Sequence, residues 1–562
     1  MSYGVALRNG VPFTLGTIAA LCVNATTQWN PLSLWPDGID SPGMWMSPRT
    51  LTSEWQDYTG TTPVVTPGTV ADLSNPVGLA LDIRAGDPPP LGPELVVNGD
   101  FSNGTTDWSI TGGNWSVVGG AMQHTPGASS FFQQTRAVLP LGANKWFELQ
   151  YTVSGRTAGD FTLYFGGSSA NGYSGNGTHT IRFCDTGGSY GLLFDAGSAY
   201  DGAIDNISIK EIPGNHMLQS TSAARPLMSA RVNLLTYTED FSNAAWAVFA
   251  GPAKVGVAPI AGPSGSVAYE VSMGTVGGAI GGAGAFYQAL SAMPEGLKTP
   301  SIYARAKTGT SSLRLSFTDQ SSIYGSSDIA INDSSWTRLS FSDTPLNGFV
   351  SGNFAVRNNV AGNSGNVYLA EAQFQSGPLT DYQAILGNGY PYPSTGFPIA
   401  QLYDGVDDGM ATAAFSAGTL TSAMDCMIAV RRDSAAACVA GLYNGIADAT
   451  KFFGMAESAS GSGCVGSGAG TPTVWVDNTQ LTGGTAVTRG TLHTALTVGD
   501  WHILEFRNLD LSTWAAAGFG LYTSYLFTGA RSDIMLYPST DSTADKDAAR
   551  QYLADYYGVT LP

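Results

Sequence analysis

Two constellations in this 562-residue chain have residue types and spacing that could do chemistry. Gly187-Gly188-Ser189-Tyr190-Gly191 spells the G-x-S-x-G pattern of serine hydrolases. That pattern works when a strand turns into a helix behind the serine and an acid and a histidine activate it. Here strand-like runs and glycine turns flank it, and His124, His179, His216, His493 and His502 are scattered with no i,i+4 pair. A metal-dependent mechanism therefore has no support. Asp404, Asp407 and Asp408 form the densest acid cluster. Carboxylate pairs can hydrolyse glycosidic bonds and clusters can hold calcium; the expectation here is a turn beside a strand. These features predict a protein that binds rather than catalyses.

Binding to sugars needs other side chains, because the CH faces of pyranose rings pack on aromatic rings at little desolvation cost. Trp115, Tyr164, Tyr173 and Tyr190 are the candidates in one stretch, Tyr303 and Tyr324 in another. Most aromatics in a β-sandwich are core, so each competes with a structural role. Trp29, Trp35, Trp45 and Trp55 crowd a Pro- and Gly-rich stretch. They could bind glycans, staple a loop-rich domain or pack into a larger assembly.

Composition bounds what can position these residues. Charged residues make up 12%, about half the usual share, and glycine is abundant at 71 residues. Helix surfaces are normally filled with Lys and Glu, so the chain reads as β-rich. Its length predicts about three to five domains. A net charge of −18 without a basic stripe excludes nucleic acid as a partner. No apolar run reaches the ~18 residues of a membrane span. The stretch Val11 to Val23 contains Thr14, Gly16 and Thr17 behind a single cation, Arg8, so no secretory signal is expected. Five cysteines without a C-x-x-C spacing predict free thiols, with Cys426–Cys438 the one local pair to check.

Asp-Phe-Ser-Asn occurs twice, at Asp100–Asn103 and Asp240–Asn243, followed by Trp108 and Trp246. Each copy opens a domain-sized stretch. Phe147, Leu149, Tyr151 and Val153 alternate with Trp146, Glu148, Gln150 and Thr152. Leu313, Leu315 and Phe317 alternate with Ser312, Arg314 and Ser316. Thr337, Leu339 and Phe341 alternate with Trp336, Arg338 and Ser340. Such period-two runs between glycine turns predict half-buried strands of β-sandwiches. Asp87-Pro-Pro-Pro90 reads as a stiff linker. Near the end, Ser542-x-x-Asp545 starts a helix whose apolar face is Ala548, Ala549, Tyr552, Leu553 and Tyr556, and Gly558 stops it.

Residues 94–212 resemble the carbohydrate-binding-module superfamily of jelly rolls, through Leu95-Val-Val-Asn-Gly-Asp-Phe-Ser102, Trp108 and Ile204-Asp-Asn-Ile-Ser-Ile209. Residues 402–562 resemble a concanavalin A or laminin-G-like domain, through Tyr403-Asp-Gly-Val-Asp-Asp408 and Asp533-Ile-Met-Leu-Tyr537 with its trailing helix. The combination is similar to structural proteins of tailed bacteriophages, tail fibres above all. Trp55-Gln-Asp-Tyr-Thr-Gly-Thr-Thr-Pro-Val64, Pro76-Val-Gly-Leu-Ala-Leu-Asp82 and Ala224-Arg-Pro-Leu-Met-Ser-Ala-Arg-Val-Asn-Leu-Leu235 carry that likeness.

The resemblance implies an all-β, multidomain string of antiparallel β-sandwiches (jelly rolls), a loop-rich Trp-containing N-terminal region and one short C-terminal helix. The implied divisions are 1–90, a virion-attachment region using Trp29, Trp35, Trp45 and Trp55 and completed by 216–232; 91–214, an inserted jelly roll; 233–386, a second jelly roll; and 387–562, the concanavalin A-like sandwich. An inserted domain needs adjacent ends, which predicts Gly86 beside Asn215. Resembling modules hold a structural calcium, implying Asp100 and Asp205 as ligands, against ordinary turn capping; no other cofactor is implied. The implied role is a tail-fibre or receptor-binding virion protein that adheres to host cell-surface polysaccharide. It would be assembled in the host cytoplasm, exposed on the particle, docked on other virion proteins and trimeric. A capsid decoration (head-fibre) protein shares this logic. A polysaccharide depolymerase and a secreted adhesin are the readings from other classes.

Overall fold

The computed structural model describes residues 29–49, 51–65, 75–171, 174–230, 232–255, 259–274, 284–290, 297–319, 322–345, 352–358, 365–377, 379–385, 397–415, 419–445, 448–481, 487–539 and 542–562. The chain is nearly all β, built of antiparallel sheets around three main cores. No helix among the described residues is long and apolar enough to cross a membrane.

The first sandwich faces two five-stranded sheets. One orders Ser168–Asn171, Phe161–Phe165, Leu192–Ala196, Ser130–Gln134 and Ser109–Thr111; the other orders Gly177–Cys184, Trp146–Ala158, Asp201–Ile212, Ala121–His124 and Trp115–Val118. Phe147, Leu149, Tyr151 and Val153 all point into the core, as their alternation predicts. Trp146, on the opposite face, is equally buried because Trp55, Leu79, Leu81 and Ile212 cover it. In the closing strand Ile204 and Ile207 are both buried although three apart. A bulge at Asn206, with φ of 52°, resets the alternation.

The second sandwich repeats the plan. Trp246–Phe249, Ala285–Leu290, Gly352–Asn358, Thr310–Thr318 and Ile323–Gly325 form one sheet. Ala253–Lys254, Val267–Ser272, Asn366–Ser376, Lys298–Ala306 and Thr337–Ser340 form the other. The Asp-Phe-Ser-Asn repeat is the same corner built twice. Asp100 and Asp240 accept the backbone N–H of Ser102 and Ser242 at 3.2 and 3.1 Å. Phe101 and Phe241 pack on Trp108 and Trp246, with ring centroids 5.4 and 4.7 Å apart. Each indole N–H donates back to a carbonyl ahead of the turn, Asn98 O and Tyr237 O, both at 2.9 Å. The motif therefore closes a core with its aromatic residues and a turn with its aspartate.

The described residues of the N-terminal stretch, from 29 on, do not form a unit of their own. Met44–Met46 pairs with Ile534–Leu536 in the large C-terminal sheet, beside which Ala400–Asp404 also pairs. A second sheet orders Glu54–Trp55, Leu79–Ala80, Met217–Leu218, Met410–Thr412 and Gly518–Phe519, joining pieces from across the whole chain. Three short strands cannot bury a core alone, so residues from 29 to 84 share one with 400–562. The chain leaves this sheet after Leu79–Ala80 and returns in the neighbouring strand Met217–Leu218. Asn215 donates its N–H to Asp82 Oδ2 at 2.8 Å, so the two connections of the first sandwich lie side by side.

Helix Thr543–Tyr557 covers the large sheet. Ser542 caps it by accepting from Asp545 N at 3.1 Å, and Gly558 ends it in the left-handed conformation. Its buried face is Ala549, Arg550, Leu553, Ala554 and Tyr557, turned from the predicted one and leaving Tyr556 exposed. Two polar anchors turn it: Arg550 pairs with Glu505 at 2.8 Å, and Tyr557 donates to Asp533 at 2.6 Å. A second short helix, Arg489–Ala495, is capped by Thr488. Cys184, Cys426, Cys438 and Cys464 are free, so the Cys426–Cys438 link is not formed.

Gly43 has φ of 118°, and a Cβ there would lie 1.9 Å from Leu536 O, whereas Gly104 (φ 61°) faces open space. Gly43→Ala is expected to cost more than ~2 kcal/mol and Gly104→Ala about 1 kcal/mol, compared by chemical denaturation. Glu54 is buried, and that burial pushes its carboxyl up to about 8 against the pull of Arg531 and a hydrogen bond from Gln401. A raised folded value means that its contribution is complete near pH 4 and disappears as pH rises through 8. Melting temperature should therefore fall between about pH 5 and pH 8 and level off above, by an equivalent on the order of a few kcal/mol, and Glu54→Gln should flatten that fall. An unchanged slope in the variant counts against this assignment.

Candidate glycan-binding faces

Cross-strand partners share a face of a sheet. On the outward side of the Phe161–Phe165 sheet this aligns Ser109, Gln133, Leu193 and Tyr164 in one row, and Thr111, Phe131, Asp195 and Thr162 in the next. Tyr190, 43% exposed in the turn before Leu192–Ala196, brings its ring within 5.3 Å of Tyr164 at 44°. The result is a shallow aromatic platform beside amide, hydroxyl and carboxylate groups. Burial raises the Asp195 carboxyl above its ordinary range. Phe131, Gln133, Leu193 and Asp195 were not among the sequence candidates; the alternation of Ser130–Gln134 could have pointed to the first two.

Other candidates lie elsewhere. Trp115 is 4% exposed, packs at 4.7 Å on Phe132, and donates its indole N–H to Ser130 O at 3.1 Å. It is core, because its strand turns this face toward the opposite sheet. Tyr173 lies outside the described residues. Tyr324 stacks on Phe317 at 4.9 Å and donates to Asp319 at 2.9 Å, which closes the edge of the second core. Tyr303 stands half-buried on the outward face of the second sandwich.

The tryptophans expected to attach the chain to a particle serve its own interior. Trp35 and Trp45 stack at 5.8 Å; their indole N–H groups donate to Leu536 O and Asp533 Oδ1, both at 3.1 Å. Trp55 lies under Arg182, whose guanidinium is 4.1 Å from its ring. Trp29 is partly buried, donates to Asp545 at 3.2 Å and meets Tyr552 edge-on. Trp35, Trp45 and Trp55 are buried, so their rings are not available to another protein.

Neither expected calcium ligand has its side chain directed to a shared site by its hydrogen bonds. Asp100 is exposed and also accepts from the Ser102 hydroxyl at 2.9 Å; Asp205 accepts from Asn206 N at 2.6 Å. The first bond caps a turn and the second lies in the bulge at Asn206, and the adjoining backbones touch where Ile207 N donates to Gly99 O at 2.9 Å. Among the described residues, three ligand-bearing side chains converge at Asp404, Asp407 and Asp408, within 4.8 Å. There Asp408 accepts from Asp404 N at 2.8 Å, and burial pushes its carboxyl up to about 7. Asp404 accepts from Val406 N at 2.7 Å, as a turn beside the strand Ala400–Asp404 requires.

Two arrangements resemble hydrolytic sites and differ from them in detail. Ser189 lies in a loop between Gly177–Cys184 and Leu192–Ala196, without the helix that a nucleophile elbow needs. Asp477, His502 and Thr497 line up in triad order, with contacts of 2.6 and 2.9 Å. The Thr497 hydroxyl gives its proton to Asp500 at 2.7 Å. The hydroxyl proton is thus drawn to a carboxylate as well as to the ring, unlike a nucleophile held by the imidazole alone.

No protein-family model matches the chain, and no curated protein matches it. Parts of it are similar to solved structures. The N-terminal CBM22-1-CBM22-2 tandem domain of Paenibacillus barcinonensis Xyn10C covers 51% of this chain and 98% of its own, at 12% identity and a TM-score of 0.27. The family 11 carbohydrate-binding module from Clostridium thermocellum, in complex with a mixed-linked tetrasaccharide, covers 26% and 96%, at 16% identity and a TM-score of 0.18. The enzymatically active domain of bacteriophage CBA120 tailspike protein 4 covers 26% and 22%, at 14% identity and a TM-score of 0.19.

The two aromatic environments of the first sandwich should separate in stability measurements. Trp115→Ala is expected to cost about 3–5 kcal/mol, while Tyr190→Ala should stay within ~0.5 kcal/mol. Denaturant midpoints of the two variants check this, and equal losses would contradict the distinction between core and face.

Proposed function

We propose that this chain is a non-enzymatic adhesion protein that binds glycans through the outward faces of its β-sandwiches. It would be a bacteriophage virion structural protein of the tail-fibre or receptor-binding type. The observation that carries the reading is the Tyr164–Tyr190 platform with Phe131, edged by Gln133 and Asp195. Aromatic rings supply apolar contact to a sugar ring, and the polar row supplies hydrogen bonds to its hydroxyls. An open, shallow face binds weakly, and copies displayed together on a particle multiply weak contacts into firm adhesion. In this reading the partners are host cell-surface polysaccharide and other virion proteins. The N-terminal tryptophans are used internally, so attachment falls to other surfaces of the chain.

Affinity electrophoresis through gels containing xylan, mixed-linked β-glucan, galactan or bacterial capsular polysaccharide tests the binding. The full chain should be retarded by at least one of them. The double variant Tyr164→Ala/Tyr190→Ala should lose about tenfold or more in affinity with its melting temperature unchanged. Release of reducing ends would turn the reading to a depolymerase. A reconstruction of the purified particle tests the virion role: density on the tail supports the fibre, density on the shell moves it to decoration, and absence from the particle removes both.

A further inference from the structure

The outward face of the second sandwich carries an arrangement that the first does not. Tyr303 and Arg305 stand two apart on Lys298–Ala306 and so share a face. Arg338 lies opposite Tyr303, and Tyr368 opposite Arg305. The Arg305 guanidinium is 5.1 Å from the Trp336 ring and 5.3 Å from the Tyr368 ring, and that of Arg338 is 5.6 Å from the Tyr303 ring. All five side chains are half-buried. Two guanidiniums and three rings thus alternate across neighbouring strands.

The arginines are short of partners. Among the described arginines, Arg305 makes neither a hydrogen bond nor an ion pair, and its Nε–H is buried without an acceptor. The Nε–H of Arg338 is also buried without one; its hydrogen bond runs from Nη2 to Ser301 Oγ at 3.1 Å. The carboxylate in the same row, Glu270 opposite Tyr368, is taken by Lys307 at 2.8 Å and by Asn366. What sets Arg305 apart from cations such as Arg225 and Arg432, which hold backbone carbonyls instead of carboxylates, is that it has neither. The buried Nε–H groups are out of a ligand's reach, but the Nη groups of Arg305 are neither buried in this way nor bonded within the chain, so they stay open to an outside acceptor.

We propose that this face binds a carboxylate-bearing sugar of an acidic polysaccharide. Arg305 and Arg338 would receive the carboxylate, and Tyr303, Trp336 and Tyr368 the CH face of the ring. The inference rests on the glycan-adhesion reading and adds the substrate class and a second site to it. A guanidinium presents a planar fork that matches a carboxylate. Rings that already hold it in place reduce the ordering cost of binding. The chain's negative charge repels a polyanion at long range, but at physiological salt that field is screened beyond about 8 Å. Contact pairing at the face survives such screening, and short or sparsely charged saccharides are favoured.

The test is titration calorimetry of the full chain with trigalacturonate and with its carboxyl-reduced counterpart in 0.15 M salt. Trigalacturonate should bind, and the reduced trimer at least about tenfold more weakly. Arg305→Gln/Arg338→Gln should weaken trigalacturonate binding by about tenfold or more with no fall in melting temperature, and Arg305→Lys should restore little of it. Equal affinity for both trimers, or an unchanged double variant, overturns the proposal. Self-association of the full chain that the double variant abolishes would overturn it in favour of a second copy on this face. Retention on neutral polysaccharide that depends on Tyr164 and Tyr190, without any trigalacturonate binding, overturns this inference and leaves the adhesion reading standing. Failure to bind any saccharide removes both.

Discussion

Strand Thr528–Pro538 is the constraint around which the base of the molecule is arranged. It is buried along most of its length, and one of its edges is shared between Ala400–Asp404 and Met44–Met46. Unpaired backbone groups at that depth would be costly, so the C-terminal sheet is incomplete without residues from the other end of the chain. Asp533 sharpens the dependence. Burial alone would raise its carboxyl, but the Arg49 charge and the hydrogen bonds from Tyr557 and Trp45 outweigh that and hold it below the ordinary range. Two of those partners, Trp45 and Arg49, come from the N-terminal stretch. Removing them would leave the buried charge without its cation, with the Tyr557 hydroxyl still donating to it, a severe loss.

The same logic fixes where the first sandwich leaves and returns. Asp82 accepts from Trp45 N at 3.0 Å, Arg84 Nε at 2.9 Å and Asn215 N at 2.8 Å. His216 accepts from Asp82 N at 2.8 Å through Nδ1 and donates from Nε2 to Ile212 O at 3.0 Å, so it is neutral there. Burial pushes its pKa down to about 4. One carboxylate thus ties together the outgoing chain, the returning chain and the strand that anchors both. Beyond this stem, Trp55 and Arg182 join the base to the Trp146–Ala158 sheet, with Glu148 pairing with Arg182 at 2.7 Å. The Tyr164–Tyr190 platform is on the other sheet. The contact that fixes the first sandwich therefore lies on the opposite sheet from the face available to a ligand.

Much of this was legible in the sequence where local physics decides. Period-two runs identified strands and their inward residues, such as Leu149 and Leu315, and Ser542 and Gly558 marked the last helix. Bulges, covered outer faces and long-range pairing were not legible. Asn206 shifts Ile207 inward, and Trp146 is buried by residues far away in the chain. The tryptophan-rich stretch looked like an attachment surface because nothing local shows that Met44–Met46 completes a sheet some 490 residues later, where Leu536 pairs with Met44. For the candidate sites, aromatic type alone could not separate Trp115 from Tyr164. The side of the sheet decides, and that depends on register. The outward alternation of Trp336 and Arg338 was visible. Their meeting with Arg305 and Tyr368 was not, because it requires three strands in register.

The repeated Asp-Phe-Ser-Asn corner shows what the two sandwiches share and where they part. Phe101 with Trp108, and Phe241 with Trp246, reproduce one folding solution. The outward faces built on it differ in chemistry. The first carries tyrosines beside an amide and a carboxylate; the second carries guanidiniums held between rings. Equal corners with unequal faces are expected if stability constrains the inside and ligands constrain the outside. Under the adhesion proposal, the ligand of each unit is to be sought on its outward sheet and not in its core, and the two units need not take the same sugar.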